Sequence, residues 1–331
     1  MKPRITIGIS VYNDHEHLHM LLQSIHWYTH LNEPYQVYVC DDGSRPEVLV
    51  QIREVCRNFG AALMEHTQDG QPKNLGIPAA WNHLTLANPD AEIVVLLNDD
   101  ILVVPNWLRM AVHFLDANKD NPYVGSCFWN PVNRTSKGMM REMLPHLGHT
   151  VYVSHDMLSG KELGAFDQFG HTAAKVGDGQ GLGRVMCPCG CCFAFRMEVF
   201  KMAGPFDERL TSFHEESHFG TCCAAIGRAS FGFAYPRPYH VHGQTFANNP
   251  ELKADKRMQD SRRLYREFWQ VPTNVPDDKY FDHVNQRLMT QIPQTTLKYL
   301  SPDYSAEPDM FIMPGGEHVA LPHLVEKEGE F

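Results

Sequence analysis

Residues 93–100 read IVVLLNDD, five apolar residues followed by an amide and two carboxylates. An uninterrupted apolar run of this length predicts a strand buried on both faces, as in a parallel sheet covered by helices. Polar residues that end such a strand lie at the carboxyl edge of the sheet, where open α/β sheets bind ligands. We therefore expect an α/β protein with a ligand site at Asn98, Asp99 and Asp100.

The segments before this run alternate between strand and helix patterns. Apolar runs predict strands at Ile5–Val11, 35–40 and 61–65. Helical spacing predicts one helix at 16–28, a second that follows the turn at 41–44 and ends near Phe59, and a third at 79–86. Pro105 opens a further helix. This order predicts a mostly parallel, doubly wound sheet. Asn13, Asp41 and Asp42 follow the first two strands, so we expect them beside Asp99 and Asp100.

The second half of the chain is less regular. Residues 130–183 are rich in Gly, His and Met and predict long loops, which form either a flap or an insertion that shapes a binding site. Residues 192–195 are strand-like, and 213–226 and 252–269 are helix-like. After Val271 the chain is Pro-rich with little pattern, and we expect this tail to wrap the domain or to join subunits into a homo-oligomer. The expected boundaries are 1–128, 129–248 and 249–331.

Composition argues against some classes of protein. The 331 residues carry a net charge of -10, which argues against a protein that coats nucleic acid. The chain has no run of about 18 apolar residues, the length that a membrane helix needs. We expect a soluble, cytoplasmic protein whose nine cysteines are reduced thiols.

Several motifs, in order, resemble those of the inverting glycosyltransferase family 2, which has the GT-A fold. They cover roughly residues 5–269 and read ISVYN (9–13), CDDGS (40–44), NLG (74–76), AWN (80–82), LNDD (97–100), GPFDE (204–208), EE (215–216) and HVHG (240–243). The resemblance implies a Rossmann-like, mostly parallel central sheet flanked by helices, here with a C-terminal extension. It implies transfer of a sugar from a nucleoside-diphosphate sugar to an acceptor hydroxyl.

The resemblance also implies a donor site after the first, second and fourth strands. A uracil or similar base needs an acceptor for its ring N–H, a role open to Asp41 or Asp42; the alternative is that this motif is only a turn. Lys73 and Asn74 open the loop before a helix and are expected on the base or the phosphates. The expected donor contacts are Val11, Tyr12, Asn13, Asp41, Asp42, Lys73, Asn74, Asn98 and Asp99.

A diphosphate leaving group favours a hard divalent cation held by carboxylates. Asn98 stands where the family has the first Asp of its Asp-x-Asp motif, and an amide is the poorer metal ligand. We therefore expect Asp100 to bind Mn²⁺ or Mg²⁺, and Asp99 to contact ribose or sugar. His242 resembles the late histidine that completes the family's metal site, with His240 as the alternative.

Inverting transfer needs a general base for the acceptor hydroxyl. The family has a Glu-Asp pair here, and Glu216 falls at the Asp position, so Glu216 is the expected base and Glu215 the reserve. Glutamate adds a methylene to the family's aspartate and shifts the reach of the carboxylate. The alternative is two solvated glutamates on a helix face.

Other activities fit parts of the sequence. His214, Glu215 and His218 match the His-Glu-x-x-His pattern of zinc peptidases, although no further ligand motif follows. The Pro-Cys-x-x-Cys match at 188–192 fits a zinc deaminase only with an upstream His-x-Glu, which is missing, and leaves a structural zinc or plain buried thiols. A non-catalytic nucleotide-sugar-binding protein is the third alternative. A dinucleotide oxidoreductase is disfavoured because no Gly-x-Gly-x-x-Gly follows the first strand.

Two features stay open. Helix 252–269 is locally basic, which favours a solvated face over a phosphate contact; the cations are Lys253, Lys256, Arg257, Arg262, Arg263 and Arg266. The acceptor is open among a glycan, a lipid-linked sugar, a protein, a small molecule and a modified nucleic acid.

Overall fold

The computed structural model describes residues 2–29, 31–129, 182–185, 187–233, 238–241, 244–276, 279–293, 295–302, 309–312, 318–321 and 324–330. The loops expected at 130–183 therefore lie almost wholly outside the described residues. The predicted domain boundaries stay a prediction.

The described chain forms sixteen strands and nine α-helices. The strands are β1 (Ile5–Val11), β2 (Tyr35–Asp41), β3 (Ala62–Glu65), β4 (Thr67–Gln68), β5 (Gln71–Pro72), β6 (Ile93–Asn98), β7 (Ile101–Leu102), β8 (Val124–Trp129), β9 (Leu182–Val185), β10 (Cys192–Arg196), β11 (Ala229–Phe233), β12 (Tyr239–His240), β13 (Thr296–Pro302), β14 (Asp309–Ile312), β15 (His318–Leu321) and β16 (Leu324–Glu330). The helices are α1 (His15–Tyr28), α2 (Pro46–Phe59), α3 (Ile77–Leu86), α4 (Trp107–Ala117), α5 (Met197–Ala203), α6 (Glu215–Ala225), α7 (Gln244–Asn248), α8 (Ala254–Phe268) and α9 (Tyr280–Met289).

One sheet of eight strands, in the order β3-β2-β1-β6-β10-β8-β11-β9, organises the molecule. Strands β3, β2, β1 and β6 are parallel neighbours, and β8 and β11 form another parallel pair. Strand β10 runs antiparallel between β6 and β8, and β9 runs antiparallel on the far edge. The expected mostly parallel α/β sheet is confirmed, and the two reversed strands are an addition that apolar patterning does not reveal.

Strand β6 is buried on both faces, as its apolar run predicts. Ile93, Val95 and Leu97 pack into the core formed with α1, α2 and α4, and Val94 and Leu96 pack into the second core with α3, α5 and α6. All five side chains have no exposed surface. The strand is therefore held from both sides and carries residues 98–100 on a rigid support.

The second core is rich in aromatic side chains, which fix α6 against the sheet. Phe219 of α6 lies 4.6 Å from Phe206 between ring centroids, and Trp81 of α3 lies 5.1 Å from Phe206 in an edge-to-face arrangement. Such pairs add about 0.5–1.5 kcal/mol each beyond the burial of area. Helices α3 and α6, which flank the expected donor and base residues, are thereby locked together.

The tail after Val271, in which the sequence shows little pattern, contains regular secondary structure. Helix α9 and two antiparallel strand pairs, β13 with β16 and β14 with β15, occupy this part of the chain. Strand β13 packs on α4, and the Asn118 side chain hydrogen bonds with the backbone N–H and C=O of Lys298. The pairing was missed because β16 carries four charged residues, Glu326, Lys327, Glu328 and Glu330, and therefore reads as a loop.

No helix in the described part of the chain is both long and apolar enough to cross a membrane.

The turn after β2 depends on a close backbone approach. Gly43 has φ +80°, and a Cβ placed on it would lie 2.3 Å from the carbonyl carbon of Lys73. Gly60, which ends α2 with φ +66°, has open space at the same position. The two glycines therefore separate the cost of a left-handed backbone from the cost of a steric clash.

We predict that Gly43→Ala destabilises the protein more than Gly60→Ala. The left-handed conformation costs a residue with a Cβ roughly 1–2 kcal/mol at either position. Only Gly43→Ala must also displace the loop at Lys73, and we expect a total loss of about 3 kcal/mol or more. Urea unfolding of the two variants and the wild type measures the difference; equal losses would show that the loop does not constrain Gly43.

Candidate active site

The strand register brings the predicted polar residues to one edge of the sheet. Val11 lies opposite Asp41 between β1 and β2, and Ser10 lies opposite Asn98 between β1 and β6. The N–H of Asp42 donates to the carbonyl of Val11 over 2.9 Å. The ends of three parallel strands therefore meet where the sequence predicts a ligand.

Asp42 holds the loop that precedes α3. Its Oδ1 accepts from Nδ1 of His66 and from the N–H of Leu75, both over 2.8 Å. Its Oδ2 accepts from Nδ2 of Asn74 over 2.8 Å and from the N–H of Gly76 over 2.9 Å. A carboxylate offers about four lone-pair sites, so all of them are used. A nucleobase that bonds to Asp42 would have to displace one of these four hydrogen-bond donors, and the Asn74 side chain is the one that can rotate away.

Asp41 faces the other side of β2. Its Oδ2 accepts from the N–H of Ser44 over 3.0 Å, and its buried Oδ1 has no hydrogen-bond partner among the described residues. Burial raises the pKa of this carboxyl, against the hydrogen bonds from Ser44. Asp41 therefore stabilises the turn, while Asp42 holds the loop 74–76.

Asn13 braces the turn after β1. Its N–H donates to Oγ of Ser44 over 2.7 Å, its Oδ1 accepts from the N–H of Arg45, and its Nδ2 donates to Oδ1 of Asn249. The residue adopts φ +56°, which an asparagine tolerates better than most residues. Its side chain is therefore committed to joining three segments of the chain.

Tyr12 and Asn74, two of the predicted donor contacts, are half-buried. Burial first, and then the charge of Glu251, raises the pKa of the Tyr12 hydroxyl. Nη2 of Arg257 donates to Oδ1 of Asn74 over 3.0 Å, whereas the Lys73 side chain is exposed. One cation of the basic run in α8, Arg257, thus contacts the loop 74–76, which the favoured interpretation of a solvated face did not predict. Only the helix register, set by the tertiary structure, selects Arg257 from the six cations.

Asp99 and Asp100 are both buried at the end of β6. Burial, then the neighbouring Asp100 and Asp14, raises the pKa of Asp99 well above its usual range. Burial also acts on Asp100, but the imidazoles of His240 and His17 hold the pKa of Asp100 below its ordinary value. The two adjacent carboxyls therefore differ in character.

His240 lies beside Asp100 because β12 pairs with β7. His240 lies opposite Ile101, and its Nε2 is 3.3 Å from Oδ1 of Asp100. The sequence offered His240 as the alternative to His242, and His242 itself lies outside the described residues. The structure thus brings one histidine of this motif to the predicted cation ligand.

Glu215 and Glu216 begin α6 and differ in their surroundings. Glu215 is buried, its Oε2 has no hydrogen-bond partner among the described residues, and burial followed by the charge of Glu216 raises its pKa well above the usual range. Glu216 is partly buried, and desolvation raises its pKa to about 7. A base with a pKa near neutrality suits proton abstraction at physiological pH.

Glu216 lies against a loop that is bonded to the end of β6. A Cβ on Gly190 would be 3.2 Å from Cγ and Cδ of Glu216, so the carboxylate packs on a backbone without a side chain. In the same loop, the carbonyl of Cys191 accepts from the N–H of Asn98 over 2.9 Å. One short loop therefore joins the predicted base to the strand end that carries Asp99 and Asp100.

The geometry does not support the zinc-peptidase alternative. His214 precedes α6 with φ +67°, and its Nε2 is 2.9 Å from the hydroxyl of Tyr280. Nδ1 of His218 accepts from Nε1 of Trp269 over 3.2 Å, and burial lowers the pKa of this histidine to about 4. The two rings hydrogen bond to different residues, Tyr280 and Trp269, and His214, Glu215 and His218 do not form a group of metal-ligating atoms in the described chain.

The four cysteines of the loop 187–192 (the cysteine loop) favour the interpretation as buried thiols over a structural zinc site. Sγ of Cys189 and Sγ of Cys191 are 3.3 Å apart, and desolvation is the leading cause that raises the pKa of Cys187, Cys191 and Cys192. Within the described residues, three metal-ligating atoms approach within 4.8 Å of one another only at Cys40, His66 and His83. Sequence reasoning missed this group because its members are far apart in the chain.

The sequence profile of Glycosyl transferase family 2 matches residues 6–203, more than half of the chain. The chain belongs to glycosyl transferase family 2. Membership makes it a glycosyltransferase, as the ordered motifs predicted. No curated protein gave a significant match to the sequence.

Solved structures share the fold of this family 2 chain. S. aureus TarS matches with 14% sequence identity and a TM-score of 0.52, over 87% of this chain and 43% of the TarS chain. TarS 1–349 in complex with UDP-GlcNAc matches with 14% identity and a TM-score of 0.51, over 87% and 72%. GalNAc-T7 with UDP, GalNAc and Mn²⁺ matches with 12% identity and a TM-score of 0.50, over 72% and 43%. The chain thus spans less than half of the TarS and GalNAc-T7 chains.

We predict that Glu216 makes stability depend on pH. A carboxyl whose pKa rises on folding contributes stability that is present below its unfolded pKa, about 4.3, and is lost as pH rises through about 7. Between pH 4.5 and 7.5 the wild type should therefore lose stability relative to Glu216→Gln. Urea midpoints across this range measure the effect, with Glu54→Gln as the variant that removes an exposed glutamate. A constant difference between wild type and Glu216→Gln would contradict the raised pKa.

Proposed function

We propose that this family 2 chain is a metal-dependent, inverting glycosyltransferase that uses a nucleoside-diphosphate sugar, with Glu216 as the general base. The observation that carries the proposal is the Glu216 carboxylate, whose pKa is about 7. It packs against Gly190, in the loop whose Cys191 carbonyl accepts from the N–H of Asn98. This arrangement supports a proton acceptor beside the strand end that carries the predicted donor residues.

In this mechanism Glu216 removes the proton of the acceptor hydroxyl as its oxygen attacks the anomeric carbon. The bond to the nucleoside diphosphate breaks on the opposite face, which inverts the configuration. Glu215 differs from Glu216 in its surroundings: burial, and then the charge of Glu216, raises the pKa of the Glu215 carboxyl well above its usual range. The reserve role of Glu215 as base is the weaker proposal because its side chain is buried.

The donor is proposed to lie across the ends of β1, β2 and β6. The nucleobase of the donor would stack near Tyr12 and replace the Asn74 side chain as a hydrogen-bond donor to Asp42. Arg257 and Lys73 would supply positive charge for the diphosphate. Val11, Asn13 and Asp41 build the turns beneath it, and Asn98 and Asp99 face the ribose or sugar. The contact between Arg257 and Asn74 supports this assignment.

A divalent cation fits the acidic end of this site. Oδ1 of Asp100 is buried and lies 3.3 Å from Nε2 of His240. Asp100 with His240, or with His242 as first predicted, would hold Mn²⁺, which accepts imidazole more readily than Mg²⁺ does. When bound, the cation would neutralise the charge that develops on the leaving diphosphate.

Glu216→Gln is expected to lower kcat by about 10²–10⁴-fold, because the amide cannot accept the proton. Donor binding should be unchanged. Glu215→Gln is the matched variant one residue away and should retain most of the activity. In the wild type, kcat should rise with pH through an apparent pKa near 7. Equal losses in both glutamine variants would remove Glu216 from its assigned role.

Asp100→Asn is expected to abolish metal-dependent donor binding. Melting temperatures are measured with UDP, GDP and their sugars, with and without Mn²⁺, because a ligand at one hundred times its Kd stabilises the folded state by about 2.7 kcal/mol. One nucleotide should raise the wild-type melting temperature only with Mn²⁺, and this shift should vanish in Asp100→Asn but persist in Asp90→Asn, which loses an exposed carboxylate. A shift that persists in Asp100→Asn contradicts the cation site. A bound nucleotide without any sugar transfer to a panel of acceptors would favour the non-catalytic binding protein.

A further inference from the structure

A second group of metal-ligating side chains contacts Asp42 through His66 and shares no residue with the Asp100–His240 pair. Cys40 is in β2, His66 lies between β3 and β4, and His83 is in α3. Sγ of Cys40, Nε2 of His66 and Nδ1 of His83 all lie within 4.8 Å of one another. Three elements that are distant in sequence thus direct one thiol and two imidazoles to a common point.

His66 is oriented as a metal-ligating histidine is in known sites. Its Nδ1 is 2.8 Å from Oδ1 of Asp42, and a carboxylate on one ring nitrogen fixes the tautomer and raises the basicity of the other. The remaining nitrogen, Nε2, points to Sγ of Cys40 at 3.3 Å and to Nδ1 of His83 at 2.7 Å. The His66 and His83 rings are nearly perpendicular, with centroids 4.7 Å apart.

Hydrogen bonds alone leave this group incompletely satisfied. When Nδ1–H of His66 donates to Asp42, Nε2 keeps a single lone pair. That lone pair faces two possible donors, the Cys40 thiol and the His83 ring, and can accept well from only one. A cation at the common point would instead receive an electron pair from all three groups.

We propose that Cys40, His66 and His83 form a binding site for a soft divalent cation, Zn²⁺, with Asp42 orienting His66. Tetrahedral zinc needs ligand atoms about 3.3–3.6 Å apart, given Zn–N near 2.0 Å and Zn–S near 2.3 Å. The Cys40–His66 separation already fits, and the His66–His83 separation must open by about half an ångström. His83 is exposed, so its ring can move and the fourth position opens to water. On binding, the Cys40 thiol releases its proton to solvent.

The ligand types separate this site from the cation site at Asp100. Thiolate and imidazole select zinc over Mn²⁺ and Mg²⁺, which favour oxygen ligands. Asp42 links the proposed zinc to the loop 74–76, because the same carboxylate accepts from the N–H groups of Leu75 and Gly76. Zinc should therefore slow hydrogen exchange at these two amides, whether or not the chain transfers sugar.

Cobalt substitution tests the site directly. The full chain is stripped with a chelator and titrated with Co²⁺, whose tetrahedral thiolate complexes show intense d–d bands and a sulfur-to-metal charge-transfer band. We expect one equivalent of Co²⁺ to give both, and Zn²⁺ to displace it. Cys40→Ser should lose the charge-transfer band, and His83→Ala, which changes an exposed side chain and should fold, should weaken binding at least tenfold.

Three controls locate the signal. His26→Ala removes an exposed helical histidine elsewhere, Cys189→Ser alters the cysteine loop, and Asp100→Asn alters the proposed catalytic cation site; all three should leave the cobalt spectrum unchanged. A band that persists in both Cys40→Ser and His83→Ala overturns the proposal, as does a band lost in Cys189→Ser. The proposal also fails if stripped protein shows no tetrahedral cobalt spectrum. Because Asp100→Asn is scored separately, failure of this site is distinguishable from failure of the proposed transferase mechanism.

Discussion

The candidate site depends on the carboxylate of Asp42, which joins three segments of the chain. It accepts two backbone N–H groups and one amide from the loop 74–76, and a ring N–H from His66. Hydrogen bonds to a charged acceptor stabilise a protein by about 1.5–3 kcal/mol each, and a buried carboxylate without them would be strongly unfavourable. This carboxylate therefore holds the loop before α3, and Asn74, which bonds to both Asp42 and Arg257, connects that loop to α8.

Two acidic pairs lie near this edge, and the surroundings of each carboxyl make the members of a pair unequal. In the pair at the end of β6, the pKa of Asp99 is raised and that of Asp100 is lowered because histidines lie beside Asp100. In the pair at the start of α6, Glu215 is buried more deeply than Glu216. Two like charges in a low-dielectric site rarely ionise together. Neighbouring carboxyls in such a pair can therefore serve different purposes without a change of residue type.

The sequence predicted the parts of the fold that rest on local periodicity. Strand β6 was predicted because its apolar run needs burial on both faces, and helix α1 because Leu18, Leu21, Leu22 and Ile25 repeat at helical spacing. Strand β16 was missed because it is charged and pairs with β13, which lies more than twenty residues earlier. The reversed direction of β10 was missed because direction leaves no mark on an apolar pattern.

The candidate site was predictable to the same extent. Residues in short motifs at strand ends, such as Asp42 and Asp100, could be named because their position along the chain fixes their position in the sheet. Arg257 and His66 could not, because a helix register and a loop crossing bring them in from elsewhere. His66 shows why this matters, because it contacts Asp42 through one ring nitrogen and Cys40 and His83 through the other. Asp42, which the sequence assigns only to donor binding, therefore also orients a cluster of one thiol and two imidazoles. The two groups differ in their ligand atoms: Asp100 and His240 offer a carboxylate beside an imidazole, whereas Cys40, His66 and His83 offer only sulfur and nitrogen.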